Sequence, residues 1–218
     1  MRTAGLLHTV PALAGTFDGL LAADPEPLRR VHVADAWLLQ TARHAGVTDD
    51  VQAAVLAHVR HLIAVGAEAV LVTCSSIGEA AEQAGAQVDV PVLRVDAPMA
   101  ADAVRIAADG RGRIAVLATL ESTLGPTGRL VERAADGAPV TVTTTVVPGA
   151  AERADAGDRN GADELIAAAV RAADADVVVL AQASMAGAAA SAGVHVPVLT
   201  SPPGGVRLLL DTLARAAR

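Results

Sequence analysis

Short runs of β-branched and aliphatic residues alternate along this chain with longer, alanine-rich stretches whose apolar positions recur at helical spacing. The first kind reads as strands buried on both faces and the second as helices covering them. Their alternation is the pattern of a parallel sheet with helices on both sides. Strands are predicted near Gly5 to His8, Ala69 to Thr73, Val90 to Val95, Arg113 to Ala118, Val140 to Val147, Val177 to Ala181 and Val196 to Thr200. Helices are predicted over Leu28 to Ala45, Asp49 to Val65, Glu79 to Ala84, Pro98 to Ala108, Pro126 to Ala135, Gly161 to Ala173 and Gly204 to Ala217. Small polar residues close several of the strand runs, which is where open α/β sheets bind ligands.

The second half of the chain echoes the first. Leu7-His8-Thr9 aligns with Leu117-Ala118-Thr119, Leu71-Val72-Thr73-Cys74-Ser75-Ser76 with Val179-Leu180-Ala181-Gln182-Ala183-Ser184, and Val90-Pro91-Val92-Leu93 with Val196-Pro197-Val198-Leu199. Any α/β protein repeats strand, turn and helix, so one such match means little; three in order at nearly constant spacing argue for two halves of one design. The expected fold is α/β, with two similar doubly wound lobes related by a pseudo-twofold axis, each carrying a parallel sheet of about four strands. The lobes are assigned to residues 1–97 and 98–203, with a boundary near Ala97 to Met99 and the C-terminal helix, residues 204–218, returning to the first lobe. Ligand is then expected in a crevice at the carboxyl ends of both sheets, approached by corresponding positions from opposite sides.

Composition narrows the chemistry. With 52% hydrophobic and 19% charged residues in 218, a packed core is affordable, and with one Phe, one Trp and no Tyr it must be built from Ala, Val, Leu and Ile. The net charge of -7 and the absence of a basic cluster argue against nucleic acid as a partner. No apolar run reaches the roughly 20 residues of a bilayer span. The start, Met1-Arg2 and the apolar stretch to Ala12-Leu13-Ala14, imitates a secretory leader, but His8 and Pro11 interrupt it. A single cysteine cannot form an intrachain disulfide and suits the cytoplasm. Every basic residue other than histidine is arginine; with no lysine, neither a pyridoxal-phosphate aldimine nor a P-loop can form. No GxGxxG follows a strand, and the expectation is that no cofactor is used.

Cys74 stands where the strand Ala69 to Thr73 hands over to Ser75-Ser76-Ile77-Gly78-Glu79. Ser76 and Glu79 have capping-box spacing, so a helix should begin just past the thiol. Its free amides and dipole should lower the thiol pKa and welcome a carboxylate. A lone cysteine is otherwise a small buried hydrophobe. His8, ending the first strand, is a candidate acid or base, or else a loop histidine bonded to backbone. Thr9, Ser75, Ser76, Thr119, Ser122, Thr123 and Ser184 together are candidate carboxylate donors, although each alone is better explained as an N-cap. Glu121 reads as the start of a solvated helix. His58 and His61, three apart, are expected to face solvent; His32, His44 and His195 stand alone, and no metal site is expected. The acidic stretch Glu152 to Asp163 lacks the order of a calcium loop and reads as a solvated connection.

Leu71-Val72-Thr73-Cys74-Ser75-Ser76 resembles the first cysteine motif of the aspartate/glutamate racemase superfamily. Val179-Leu180-Ala181-Gln182-Ala183-Ser184-Met185-Ala186 is similar to its second motif, closest to the hydantoin-racemase form, with Gln182 where that motif has a cysteine. Ile114 to Thr119 with Ser122-Thr123 resembles the segment opening the second lobe, whose hydroxyls help hold a carboxylate. The resemblance implies a cofactor-independent enzyme acting at the carbon next to a carboxylate, with small carboxylic acids as substrates. With the residues singled out above, the candidate catalytic pair is Cys74 and His8, and the candidate substrate-binding residues are Thr9, Ser75, Ser76, Thr119, Ser122, Thr123, Gln182, Ala183 and Ser184. Homodimers are common among such relatives. Two-thiol members remove the α-proton with one cysteine and return it with the other. A neutral amide at Gln182 does neither, which disfavours racemisation of aspartate, glutamate or hydantoins by that route. Arylmalonate decarboxylases of the superfamily use one cysteine to protonate a carbanion, but that thiol belongs to the second motif. A non-catalytic carboxylate binder and a cysteine-nucleophile hydrolase remain as alternatives.

Overall fold

The computed structural model describes residues 1–24 and 26–216. The chain divides into two compact units, Met1–Val95 together with the segment from Pro202 onward, and Asp96–Ser201.

The first unit is built on four parallel strands in the order β2-β1-β3-β4. They are β1 (Arg2–His8), β2 (Leu28–Ala34), β3 (Ala69–Val72) and β4 (Val92–Arg94). The central pair is apolar and inaccessible, with all four residues of β3 buried. Alternation sorts the side chains to two faces. Ala4, Leu6, Ala69 and Leu71 pack on Phe17 and Leu21 of α1 (Leu13–Leu21) and on Val206, Leu209 and Leu213 of the C-terminal helix Ser201–Ala216. Leu7, Val70 and Val72 pack on the other side, against α2 (Ala36–Ala45), α3 (Asp49–Ala64) and α4 (Gly78–Gly85). Helix α3 presents Val51, Val55, Val59 and Leu62 to that core, one turn apart, and Thr48 caps its start by accepting from the Val51 amide.

The second unit repeats the order as β6-β5-β7-β8. Its strands are β5 (Arg113–Ala118), β6 (Thr141–Val146), β7 (Val177–Leu180) and β8 (Val198–Thr200). Its helices are α5 (Ala97–Ala108), α6 (Glu121–Ala135), α7 (Ala150–Asp155), α8 (Arg159–Ala172) and α9 (Ala186–Ser191). Ile114, Val116, Val177 and Val179 face α5 and α6, while Ala115, Leu117, Val178 and Leu180 face α8 and α9. The chain thus folds as two four-stranded parallel sheets covered by helices, the α/β class that its alternating runs predict.

Several elements differ from expectation. Leu28 to Ala34, predicted as the first turns of a helix, is the edge strand β2. Its residues sort by twos: Val31 and Val33 lie on one core, while Arg30 and His32 reach Asp18 of α1 on the other face. Asp35 then caps α2 through the Trp37 amide. The leader-like start is β1 followed by α1, whose Phe17 is fully buried. Helix α6 begins at Glu121 and not at Pro126; Pro126 lies within it and deletes only the amide that would bond the Ser122 carbonyl. The acidic stretch holds α7, and Asp158 caps α8 at the Gly161 amide while bonding Arg153. The final helix begins at Ser201, before the predicted Gly204, and its predicted end at Ala217 lies outside the described residues.

Candidate active site

In the first unit the carboxyl ends of β1 and β3 lie side by side, because Leu7 pairs with Val72 and the Thr73 amide extends the ladder to the Leu7 carbonyl at 3.0 Å. The residues just beyond, Thr9 and Cys74, meet there. Cys74 is extended (φ -124°, ψ 118°) and opens a 3₁₀ turn, Ser75–Ile77, that leads into α4. Cys74 is half-buried, and the amides of Ser76 and Ile77 and the hydroxyls of Ser76 and Thr9 face its sulfur, the Ile77 amide also donating to the Cys74 carbonyl at 3.3 Å. These contacts favour the thiolate, but burial outweighs them and pushes the Cys74 thiol above its ordinary range. The expected lowering by a helix start is therefore reversed. Ile77 is the N-cap of α4, one place past the predicted Ser76, and neither it nor Cys74, which opens the turn, makes a side-chain cap bond; the Ser76 hydroxyl is directed at the sulfur.

Two hydroxyls beside the thiol are unusual. Thr9 and Ser75 are 2% and 4% exposed, and Thr9 Oγ1 and Ser75 Oγ find no aligned hydrogen-bond partner. Thr9 touches the sulfur, but a thiol is too weak an acceptor to satisfy it. Buried polar groups are nearly always paired, so each unpaired one needs a reason. A ligand oxygen would supply it.

His8 is fully buried at the end of β1, and both of its ring nitrogens are taken. Thr73 Oγ1 donates to the Leu7 carbonyl at 3.1 Å, so its one hydroxyl proton is committed and it accepts from His8 Nδ1–H at 2.8 Å. His8 Nε2 then accepts from His32 Nδ1–H at 2.9 Å, and the two rings stack at 5.2 Å. His32 Nε2 sits 3.3 Å from Asp18 Oδ1, an ionic contact without hydrogen-bond alignment, and Arg30 donates to the same oxygen at 3.1 Å. Burial and the neighbouring His32 charge, opposed by Asp18, lower the His8 pKa from 6.5 to about 4. His8 is a neutral ring bridging Thr73 and His32. Sequence reasoning missed His32 and Asp18 as its partners; the available signal was Arg30 and His32 at strand spacing, hidden by the helix assigned there.

Beneath the Cys74 turn lies Arg94, the last residue of β4, 5% exposed and bonded to Glu82 at 2.9 Å. Its guanidinium packs directly on Gly78, so that a Cβ there would overlap it.

In the second unit, Thr119 and Gln182 hold the corresponding places past β5 and β7, which pair through Leu117 and Leu180. Gln182 is likewise extended (φ -117°, ψ 137°) and opens the 3₁₀ turn Ala183–Met185 before α9. Its Oε1 accepts from the Thr119 amide at 2.6 Å and from Thr119 Oγ1 at 3.0 Å. Ser122 and Thr123 lie in the first turn of α6; the Ser122 hydroxyl is buried without a partner, and Thr123 is buried. Ala183 is half-buried, and Ser184 and Glu121 are exposed. His58, expected to face solvent, is half-buried and bonds Asp35 at 2.8 Å, whereas His61 is exposed. Among the described residues, no group of three or more His, Cys, Asp or Glu side chains could hold a metal ion. Nor is any described helix long and apolar enough to cross a membrane.

Comparison with known proteins follows the same lines. No curated protein matches significantly. Among solved structures, a glutamate racemase of Bacillus anthracis superimposes with TM-score 0.71 at 16% identity, covering 99% of this chain and 82% of that one. The aspartate racemase of Picrophilus torridus gives 0.71 at 14% identity, covering 98% and 95%. A glycine-to-cysteine variant of arylmalonate decarboxylase, in a sulfate-associated form, gives 0.62 at 19% identity, covering 98% and 94%. At these identities the likeness speaks for the fold. The family model for Asp/Glu/Hydantoin racemase matches residues 16–209, nearly the whole length of both units, and the chain therefore belongs to that family.

Proposed function

We propose that this chain is a cofactor-independent enzyme that delivers a proton to the carbon next to a carboxylate, with Cys74 as its single thiol acid/base. The observation that carries this reading is the surroundings of the sulfur: a protonated thiol held among amides and hydroxyls that stabilise the thiolate it would leave. Loss of a proton or of carbon dioxide from the α-carbon of a carboxylic acid leaves an enediolate. Cys74 would protonate that carbon, the S–H bond breaking as the C–H bond forms, with Ser76 and the Ile77 amide holding the resulting thiolate. The unpaired Thr9 and Ser75 hydroxyls would donate to the carboxylate. His8, with both nitrogens engaged, is assigned a positioning role at the end of β1.

Within the isomerase-type chemistry of the family, this arrangement favours a reaction needing one proton delivered and none removed. Decarboxylation of a malonate-type acid is such a reaction, since a thiol held above its ordinary range starts as a donor. Water then restores the thiol proton. The lone cysteine suits a reducing compartment, and we assign the protein to the cytoplasm.

The test is proton NMR in deuterated water with aspartate, glutamate and methylmalonate as separate substrates. The expected result is deuterium at the α-carbon of at least one acid or product, with Cys74→Ala reducing its rate by about 10²- to 10⁴-fold. Stabilisation by these acids without any exchange or carbon dioxide release would mark a binding protein and end the enzymatic reading.

A further inference from the structure

The turn that carries Cys74 is too small to fix itself. Its residues, Ser75–Ile77, form a single 3₁₀ turn closed by the Ile77 amide on the Cys74 carbonyl at 3.3 Å and by the Gly78 amide on the Ser75 carbonyl. Hydrogen bonds in such turns are poorly aligned, and the Ile77 amide is divided between that carbonyl and the sulfur. A group outside the turn has to hold the Ser76 and Ile77 amides on the thiol.

Arg94 is placed to do so. It ends β4 at the register of Val72, two residues before Cys74, and its side chain is 4% exposed. Two anchors fix its guanidinium on α4. A Cβ on Gly78 would overlap Cζ, Nε and Nη2, so the guanidinium lies directly on the first residue of the helix. Nη1 donates to Glu82 Oε1 at 2.9 Å, one turn further along. One planar cation thus spans both turns of a short helix that continues from Ile77.

Stability does not explain the residue. A buried cation loses its hydration, and an ion pair with a side chain as exposed as that of Glu82, 45%, recovers little of it. The second unit, which has no cysteine, lacks all three groups: Ala186 stands at the place of Gly78, Ala190 at that of Glu82 and Thr200 at that of Arg94. The arrangement goes with the thiol.

We infer that Arg94 is a positioning residue for Cys74: lying on Gly78 and anchored by Glu82, it holds the Ser75–Ile77 turn so that the Ser76 and Ile77 amides stay directed at the sulfur. The inference rests on the reading of Cys74 as the acid/base and deepens it, since the donors that stabilise the thiolate left by proton transfer are kept in place from beneath.

The experiment is the pH dependence of iodoacetamide alkylation, read by mass spectrometry in wild type, Arg94→Met and Arg94→Lys; with one cysteine in the chain, the label reports Cys74 alone. Fitting each profile to a midpoint and a high-pH plateau separates ionisation from access. Arg94→Met removes the plane and the charge but keeps an apolar stem. Its midpoint should move to higher pH, lowering the thiolate fraction at a fixed pH by about 10-fold, the factor for one lost hydrogen bond to a charged group. Arg94→Lys, which keeps the charge without the plane, should fall between it and wild type. In the deuterium-exchange assay both variants should lose kcat by a larger factor than KM rises, because Thr9 is carried by β1 and not by the turn. A midpoint unmoved in Arg94→Met, with only Tm lowered, would make Arg94 merely structural and overturn the inference; if Arg94→Met does not fold, an unmoved midpoint in Arg94→Lys does the same. Alkylation needs no substrate, so a moved midpoint without exchange on any acid would overturn the proposed function and leave the positioning of the thiol standing.

Discussion

The Thr9–Cys74 pair of the first unit and the Thr119–Gln182 pair of the second stand at the same place, one step past the first and third strands of sheets with the same order. Cys74 and Gln182 share an extended backbone and the same 3₁₀ exit. What differs is how each threonine is used. Thr119 is consumed by the glutamine oxygen, while Thr9 beside a thiol keeps a buried hydroxyl without an aligned partner. One scaffold thus presents an unspent hydroxyl next to a thiol in one unit and a clamped amide in the other. A single change of side chain at a strand end alters the neighbour's chemistry along with its own.

The contrast continues one layer down. Where the first unit places His8, Thr73 and, on the neighbouring strand, His32, the second places Ala118, Ala181 and an exposed Thr144 at the matching register. Only the first unit therefore carries a titrating ring under its strand ends. Because the His8 pKa is about 4 when folded against an ordinary 6.5, the unfolded chain binds the extra proton first as pH falls. The stability held by neutral His8 is present above about pH 6.5 and is lost progressively down to about pH 4. The loss should approach about 3 kcal/mol. Urea denaturation at pH 7, 5.5 and 4 should show this slope in wild type and a flatter one in His8→Leu. Equal slopes would mean that the ring is not the titrating group.

Gly78 and its counterpart Ala186, each the first residue of the helix after the 3₁₀ turn, sharpen the comparison next. Gly78 supports the Arg94 guanidinium, whereas the residue at the Arg94 position in the second unit is the shorter Thr200. Gly78→Ala should therefore cost about 1–3 kcal/mol by overpacking. Adding Arg94→Thr should recover part of that cost, as a double-mutant cycle on unfolding free energies would show. Additive losses would break the parallel.

The smallest expected effect is the most chemical. Gln182→Cys puts a thiol into the second unit and frees Thr119. It should raise α-proton exchange on an acid that wild type binds by no more than about 10-fold, since an unsupported group misplaced by about an ångström forfeits much of its rate. Proton NMR in deuterated water checks this, and exchange no faster than in wild type would show that a thiol at this strand end is not placed to carry a proton.

The buried strands were legible because their side chains face core on both sides, so β3 and β7 read as unbroken apolar runs with Cys74 and Gln182 just beyond them. Edge strand β2 was not legible. Its Arg30 and His32 are explained by Asp18 on α1 and by His8 on the neighbouring strand, and composition alone reads Leu28 to Ala45 as one helix. The helix start at Cys74 reads differently for a related reason: spacing puts the N-cap at Ser76 where the structure has Ile77, and it shows nothing of the burial that reverses the thiol's pKa shift. Local pattern reports periodicity well; it cannot report which distant side chain will claim a polar group.

The contact between Gly78 and Arg94 also restricts the order in which this turn can change over evolutionary time. While the guanidinium lies on the glycine, any side chain at position 78 meets it, so an alanine like that of the second unit is accommodated at lower cost once Arg94 has been shortened. The reverse order passes through a destabilised intermediate directly beneath Cys74. The less costly order of change at this turn has β4 altered first and the cysteine turn second.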